Sequence, residues 1–178
     1  MRAEPAVLTC PEVSAPAFRL AARAFPTGVA VLTVAGGSRP RAKTVSSFTT
    51  VSLDPPLVSV ALSCRAALLA QLRERGRFGV SVLGAGQEAV SRYFAAPARE
   101  RPGLGPPPRL ALTAAGTPVV AGSQSYFDCH LSDVLALGDH AVVVGRVTAV
   151  DGGPTAAPLV YFDGGYRLLA RPEKSRCL

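Results

Sequence analysis

The chain has 178 residues, 48% of them hydrophobic and only 17% charged, a balance that excludes a disordered polypeptide and allows one domain with its own core. Its net charge of +7 comes from seventeen arginines and two lysines scattered along the chain; with few aromatics among them they make a poor nucleic-acid surface, whereas attraction of anionic nucleotides stays open. Four cysteines (Cys10, Cys64, Cys129, Cys177) without C-x-x-C spacing and two histidines (His130, His140) without ligand spacing argue against a structural zinc site.

Residues 1–13 read as a Pro-containing tail, 14–170 as one domain and 171–178 as a second tail. The opening segment lacks the apolar run of a signal peptide and no stretch reaches membrane-spanning length, so a cytoplasmic chain with reduced thiols and no membrane partner is expected. Ser14 can cap a short helix carrying Phe18, Ala21, Ala22 and Phe25 at helical spacing, ended by Pro26-Thr27-Gly28. Val29–Val34 is a compact apolar strand, and Gly36–Pro40 turns it back into a hydroxyl-rich strand, Thr44–Ser52. That run holds Thr44, Ser46, Ser47, Thr49, Thr50 and Ser52 without strict alternation. Such hydroxyls suit a phosphate or a polar ring edge, and they equally suit an edge strand with a solvated face.

Leu53-Asp54-Pro55-Pro56 makes a turn, and Leu57–Leu62 a buried strand ending in Ser63-Cys64-Arg65. The spacing predicts a helix over Ala66–Arg75 with Leu68, Leu69 and Leu72 on one face and Gly76 closing it. A strand over Phe78–Leu83 and a short helix over Gln87–Phe94, with Val90, Tyr93 and Phe94 apolar, come next. Residues 95–109 form a Pro- and Arg-rich loop, too long for a plain turn and therefore functional or mobile. Ser125–Leu131 and Ala141–Val150 read as strands, and Leu159–Leu169 as a closing hairpin. Short strands dominate, which points to an all-β, antiparallel, small β-barrel with short flanking helices.

Protein-borne chemistry is scarce. No G-x-G-x-x-G follows a strand, and neither a G-x-x-x-x-G-K-[ST] loop nor a G-x-S-x-G elbow is present. Only twelve carboxylates occur and none pair convincingly. A bound cofactor could carry a reaction here, with the protein supplying placement and electrostatics.

Thr44-Val45-Ser46-Ser47-Phe48 followed by Ser52-Leu53-Asp54-Pro55-Pro56-Leu57-Val58 resembles the signature of the flavin reductase domain family, the small components of two-component flavin-dependent monooxygenases. Phe18-Arg19 through Pro26-Thr27-Gly28-Val29 is similar to the family's opening. Gly76-Arg77-Phe78-Gly79-Val80-Ser81-Val82-Leu83 with Gln87 and Phe94 is similar to its middle. Gly138-Asp139-His140, Gly145-Arg146-Val147 and Pro158-Leu159-Val160-Tyr161 are similar to its end. The ordered set covers roughly residues 16–169 and is more specific than any one piece.

The resemblance implies an FMN-binding split β-barrel, Greek-key-like and antiparallel, that acts as a homodimer. It implies hydride transfer from NADH or NADPH to FMN or FAD, with the reduced flavin released to a partner monooxygenase. By the same likeness Arg41, Ala42, Lys43 and Thr44, with Ser46 and Ser47, line the isoalloxazine and ribityl chain, and Ala61, Leu62 and Ser63 continue that wall. Arg65, Ala67 and Leu68 meet the flavin phosphate, where a helix start leaves free N–H groups; Tyr93 and Phe94 also belong to the cofactor site. His140 is the candidate catalytic contact to the nicotinamide, and Tyr161, Phe162, Asp163 and Gly164 the second. Ala66-Ala67-Leu68 stands where members often carry serines, so backbone and arginine must hold more of the phosphate, and FMN and FAD both stay open. Cys129 reads as a small buried hydrophobe. Two rival readings keep the barrel: a flavin- or haem-binding module without turnover, and a basic nucleic-acid-binding barrel resting only on net charge.

Overall fold

The computed structural model describes residues 12–37, 39–153 and 156–169; most of the two expected tails, with Cys10 and Cys177, lies outside them. In chain order the elements are helix α1 (Ala15–Ala22), strands β1 (Thr27–Gly28), β2 (Ala30–Val34), β3 (Arg41–Val45), β4 (Thr49–Leu53) and β5 (Pro56–Ser63), and helix α2 (Ala67–Arg75). Strand β6 (Arg77–Val82), helix α3 (Glu88–Ala95), strands β7 (Leu110–Leu112), β8 (Pro118–Val120), β9 (Ser125–Leu137), β10 (His140–Gly152), β11 (Val160–Phe162) and β12 (Gly165–Arg167) complete it. Seven strands form one antiparallel sheet in the order β3-β2-β6-β9-β10-β5-β4. The expected all-β, antiparallel architecture with short helices is what the chain adopts.

Strand β2 explains why the sheet curls. Every residue of β2 is buried, because Ala30, Leu32 and Val34 enter one hydrophobic cluster while Val31, with Val29 before it, enters another. A strand covered on both faces reads as a continuous apolar run, as this one does. The first cluster fills the barrel with Val58, Val60 and Leu62 of β5, Phe78 and Val80 of β6, and Val143 of β10, and α2 plugs it with Leu68, Leu69 and Leu72. The second lies under α3 and the β7–β8 hairpin, around Leu83, Phe94, Val120 and Leu159. Thr33, the polar exception on β2, donates its hydroxyl hydrogen to the Pro118 and Gly79 carbonyls. Asp128, 1% exposed, accepts from Thr113 Oγ1 at 2.6 Å, Thr117 Oγ1 at 2.8 Å and Arg77 Nη1 at 3.3 Å, so its buried charge is paired and hydrogen-bonded.

The local expectations hold for α1, α2 and α3. Ser14 Oγ accepts from the Ala17 N–H at 3.4 Å, and α2 ends at Gly76 with φ 63°, a conformation that favours glycine. The Asp163-Gly164 turn of the closing hairpin also takes positive φ at both residues, as a two-residue hairpin loop requires.

Three expectations are corrected. The single strand expected over Thr44–Ser52 is two, on opposite edges of the sheet: β3 pairs with β2 (Thr44 opposite Val31) and β4 pairs with β5 (Thr49 opposite Ser59). The chain breaks because Ser47 Oγ donates to the Ala61 carbonyl at 3.1 Å and accepts the Ala61 N–H at 3.0 Å, so a side chain replaces a rung of the ladder. Helix α1 ends at Ala22, so Phe25, expected on its apolar side, lies beyond it; none of the helix residues is buried, and Phe18 is 66% exposed. Strand β9 runs six residues beyond Leu131, where Ser132–Leu137 pairs with β10; only Val134 of these packs against the core, so too few positions are buried to show an alternating pattern.

Gly145 lies where β10 crosses the Phe78 ring, and a Cβ there would collide with Phe78 Cζ. Gly145→Ala is therefore expected to destabilise the chain by about 1–3 kcal/mol through overpacking, read as a lowered urea midpoint. The double variant with Phe78→Leu should lose less than the sum of the two single losses; strict additivity would refute the steric account.

Candidate functional site

The end of β5, the start of α2, strand β3 and the end of α3 enclose a cavity of about 740 Å³. Strand β3 makes its outer wall: Ala42 is buried in the cluster under α3, Val45 at the strand's end enters the barrel cluster from the opposite face, and Arg41 and Lys43 stay exposed. The floor is Ser63, Arg65, Ala67 and Leu68, and Phe94 with Ala95–Ala98 closes the far side. Its lining thus brings four cations together, Arg41, Lys43, Arg65 and Arg101, and includes no carboxylate. Helix α2 begins at its edge, and among the described residues no side chain caps it; Ala66, the N-cap residue, has none to offer. The first N–H groups of a helix lack intrahelical acceptors, so this edge is electropositive by backbone as well as by side chain.

The expected site residues divide among three places. Arg41, Ala42, Lys43, Ser63, Arg65, Ala67, Leu68 and Phe94 line this cavity, though Ala42, Leu68 and Phe94 are largely buried and offer mainly backbone or a ring edge. Thr44, Ser47, Ala61 and Leu62 are not among its lining residues. Thr44 Oγ1 donates to the Ser91 carbonyl at 2.7 Å, Ser47 bridges to Ala61, and the Leu62 side chain is in the core. Ser46 and Tyr161–Gly164 instead face α1 across a smaller cavity of about 270 Å³ that also meets Arg19 and Arg23. Tyr161 packs edge-on against Tyr166, ring centroids 5.5 Å apart.

His140 opens β10 directly opposite Ser63 of β5, a lining residue of the cationic cavity, but is not itself among the residues that line it. Its Nδ1 is 2.7 Å from Asp139 Oδ1. That hydrogen bond, and then the histidine's charge, hold the Asp139 carboxyl below its usual range, with a small contribution from Arg19. The Cys64 N–H donates to the Asp139 carbonyl at 2.9 Å, tying the hairpin turn to the start of α2. Cys129 is fully buried, and burial, with the Asp128 carboxylate beside it, pushes its thiol up to about 12, against a smaller opposing pull from Arg77. It is an inert core residue, as expected.

Residues 22–170 match the flavin reductase like domain. The chain belongs to the flavin reductase family. It is 42% identical over 157 residues to the reductase component of a 4-hydroxyphenylacetate 3-monooxygenase from Thermus thermophilus, covering 88% of this chain and 98% of the relative. Among solved structures, an NADH:FAD oxidoreductase from Streptomyces globisporus, in complex with NAD and FAD fragments, superposes with a TM-score of 0.82 at 34% identity, covering 94% of this chain and 99% of that one. The styrene monooxygenase flavin reductase from Pseudomonas putida S12 superposes with a TM-score of 0.80, also at 34% identity, over 88% and 99%.

Within this flavin reductase fold the sequence reading misses Arg101. It stacks on Tyr93 and Phe94, 5.6 and 5.8 Å from their centroids, and donates to the Ala42 and Ala96 carbonyls, both at 3.3 Å. The loop at 95–109 is therefore a wall of the site, pinned across to β3. Its length is the one signal the sequence carries.

Proposed function

We propose that this protein is an NAD(P)H:flavin oxidoreductase that reduces FMN or FAD and releases the reduced flavin to a flavin-dependent monooxygenase. The observation that carries the reading is the cavity holding four cations and no carboxylate at the uncapped start of α2. Such a place selects a phosphate-bearing ligand, and relatives named as NADH-dependent flavin reductases support a flavin. A flavin bound there would supply the redox chemistry as the acceptor of hydride from the reduced nicotinamide. The chain's own part is binding and orientation. The Ala67 and Leu68 N–H groups and Arg65 hold the phosphate, and Arg41 and Lys43 flank the polar edge of the ring system. His140, fixed by Asp139, donates to or accepts from the nicotinamide carboxamide, and Tyr161–Gly164 offers a ring surface for the dinucleotide.

We take residues 14–170 as the working domain and a homodimer as the working unit. Val51 and Leu53 on the edge strand β4, at 55% and 94% exposure, and the uncovered side of α1 support a second copy. Among the described residues no helix is long and apolar enough to cross a membrane. Among the described residues Cys64 and Cys129 are not bridged, which fits a reducing, cytoplasmic setting.

Purified protein with NADH is expected to lose the nicotinamide absorbance only when FMN or FAD is added; no flavin-dependent loss would end the reading. Ala67→Pro removes one N–H at the first helical position, where proline is tolerated. It should leave the melting temperature nearly unchanged and weaken FMN binding by about 1–2 kcal/mol while sparing riboflavin. His140→Ala should raise the KM for NADH about tenfold, the worth of one lost hydrogen bond, with the flavin KM little altered. An unchanged KM for NADH would remove His140 from the nicotinamide site.

A further inference from the structure

A second cavity, of about 1040 Å³, continues outward from the first. The two share Pro40, Arg41, Ala67, Phe94 and Arg101, so they are chambers of one groove with a common waist. The two charged residues at that waist are both arginines. Beyond it the outer chamber is bordered by Arg39, Arg75, Tyr93, Pro107 and Pro108. Its one carboxylate, Glu74, lies 3.8 Å from Arg75 and is well exposed, so it offsets that cation only weakly.

Resting on the flavin reductase reading, we propose that the preferred flavin is FAD. Its second phosphate lies between Arg41 and Arg101, and its adenosine occupies the outer chamber. FMN ends at the phosphate that the start of α2 receives. Bound there, it would leave the waist arginines without a counter-charge and the larger chamber filled only by solvent. FAD adds one more phosphate at the waist and a flat ring beyond it. Arg101 is already oriented to receive that phosphate. Its Nε and one Nη are given to the Ala96 and Ala42 carbonyls, so its plane is fixed and its remaining donors are free to meet an anion. Tyr93 borders this chamber with its ring already covered by Arg101 at 5.6 Å, so the flat surface offered to adenine is the Arg101–Tyr93 stack. The geometry also runs in the right direction. Ala67 lies in both chambers and Arg75 only in the outer one, and at 1.5 Å per residue they are roughly 12 Å apart along α2.

The test is the steady-state KM for FAD and for FMN at fixed, saturating NADH. The expected KM for FAD is about tenfold or more below that for FMN, the effect of one charge-assisted hydrogen bond to phosphate. Arg39→Glu, on the exposed rim, and Arg101→Ala, at the waist, should each drive the ratio of the two values towards one. If Arg101→Ala fails to fold, Arg39→Glu decides alone, being a surface change. Equal values for FAD and FMN, or a lower one for FMN, with flavin-dependent NADH oxidation intact, would overturn the FAD assignment and leave the reductase reading standing. A preference for FAD that neither variant alters would overturn its placement in the outer chamber. Failure of NADH oxidation with both flavins would instead remove the underlying reading.

Discussion

Ser47 stands where the chain leaves one edge of the sheet for the other, and its hydroxyl takes both hydrogen bonds of Ala61. Its position continues the β4–β5 register, in which Thr49 lies opposite Ser59, with a side chain in place of a peptide group. This substitution lets the backbone turn away at Ser46–Phe48 without leaving a rung of β5 unpaired. Strand β3 can then lie against β2 while β4 lies against β5, and the gap between β3 and the end of β5 becomes the cationic cavity. Remove the hydroxyl and the Ala61 N–H and C=O lose their partners at the seam on which the site depends.

Charge is partitioned to match. The one deeply buried carboxylate among the described residues, Asp128, is held by two threonines and Arg77 on the sheet's far arm. The cations of the groove's inner chamber face a lining free of acid. Near the surface such charges are worth modest energies individually, but four of them converging on a helix start with open N–H groups act together on a polyanion. Among the described residues no carboxylate or histidine lines this inner chamber, in keeping with a reaction whose electrons come from one nucleotide and go to another.

Much of the scaffold is legible in the chain itself. Ser14 announces α1, Gly76 ends α2, the leucines of α2 fall on one face, and the run at β2 is apolar throughout because both of its sides are covered. What stays hidden has physical causes. The break at Ser46–Phe48 is invisible because a hydroxyl standing in for a peptide group leaves no mark on hydropathy. Arg101 is hidden because its partner carbonyl on Ala42 is 59 positions away. The end of β9 lacks alternation because beyond Leu131 only Val134 packs against the core, whereas its partner β10 does alternate, burying Ala141 and Val143. The hydroxyls of Thr44 and Ser47 have the chemistry of ligand contacts, yet both serve backbone carbonyls of the scaffold.

The hydrogen bond from the Cys64 N–H to the Asp139 carbonyl joins the turn that carries His140 to the residue preceding Arg65. One hydrogen bond thus couples the peptide leading into His140 to the peptide leading into Cys64. A change that moves this turn is therefore passed to the start of α2, and under the proposed roles of His140 and Arg65 the preferences for donor and acceptor would shift together.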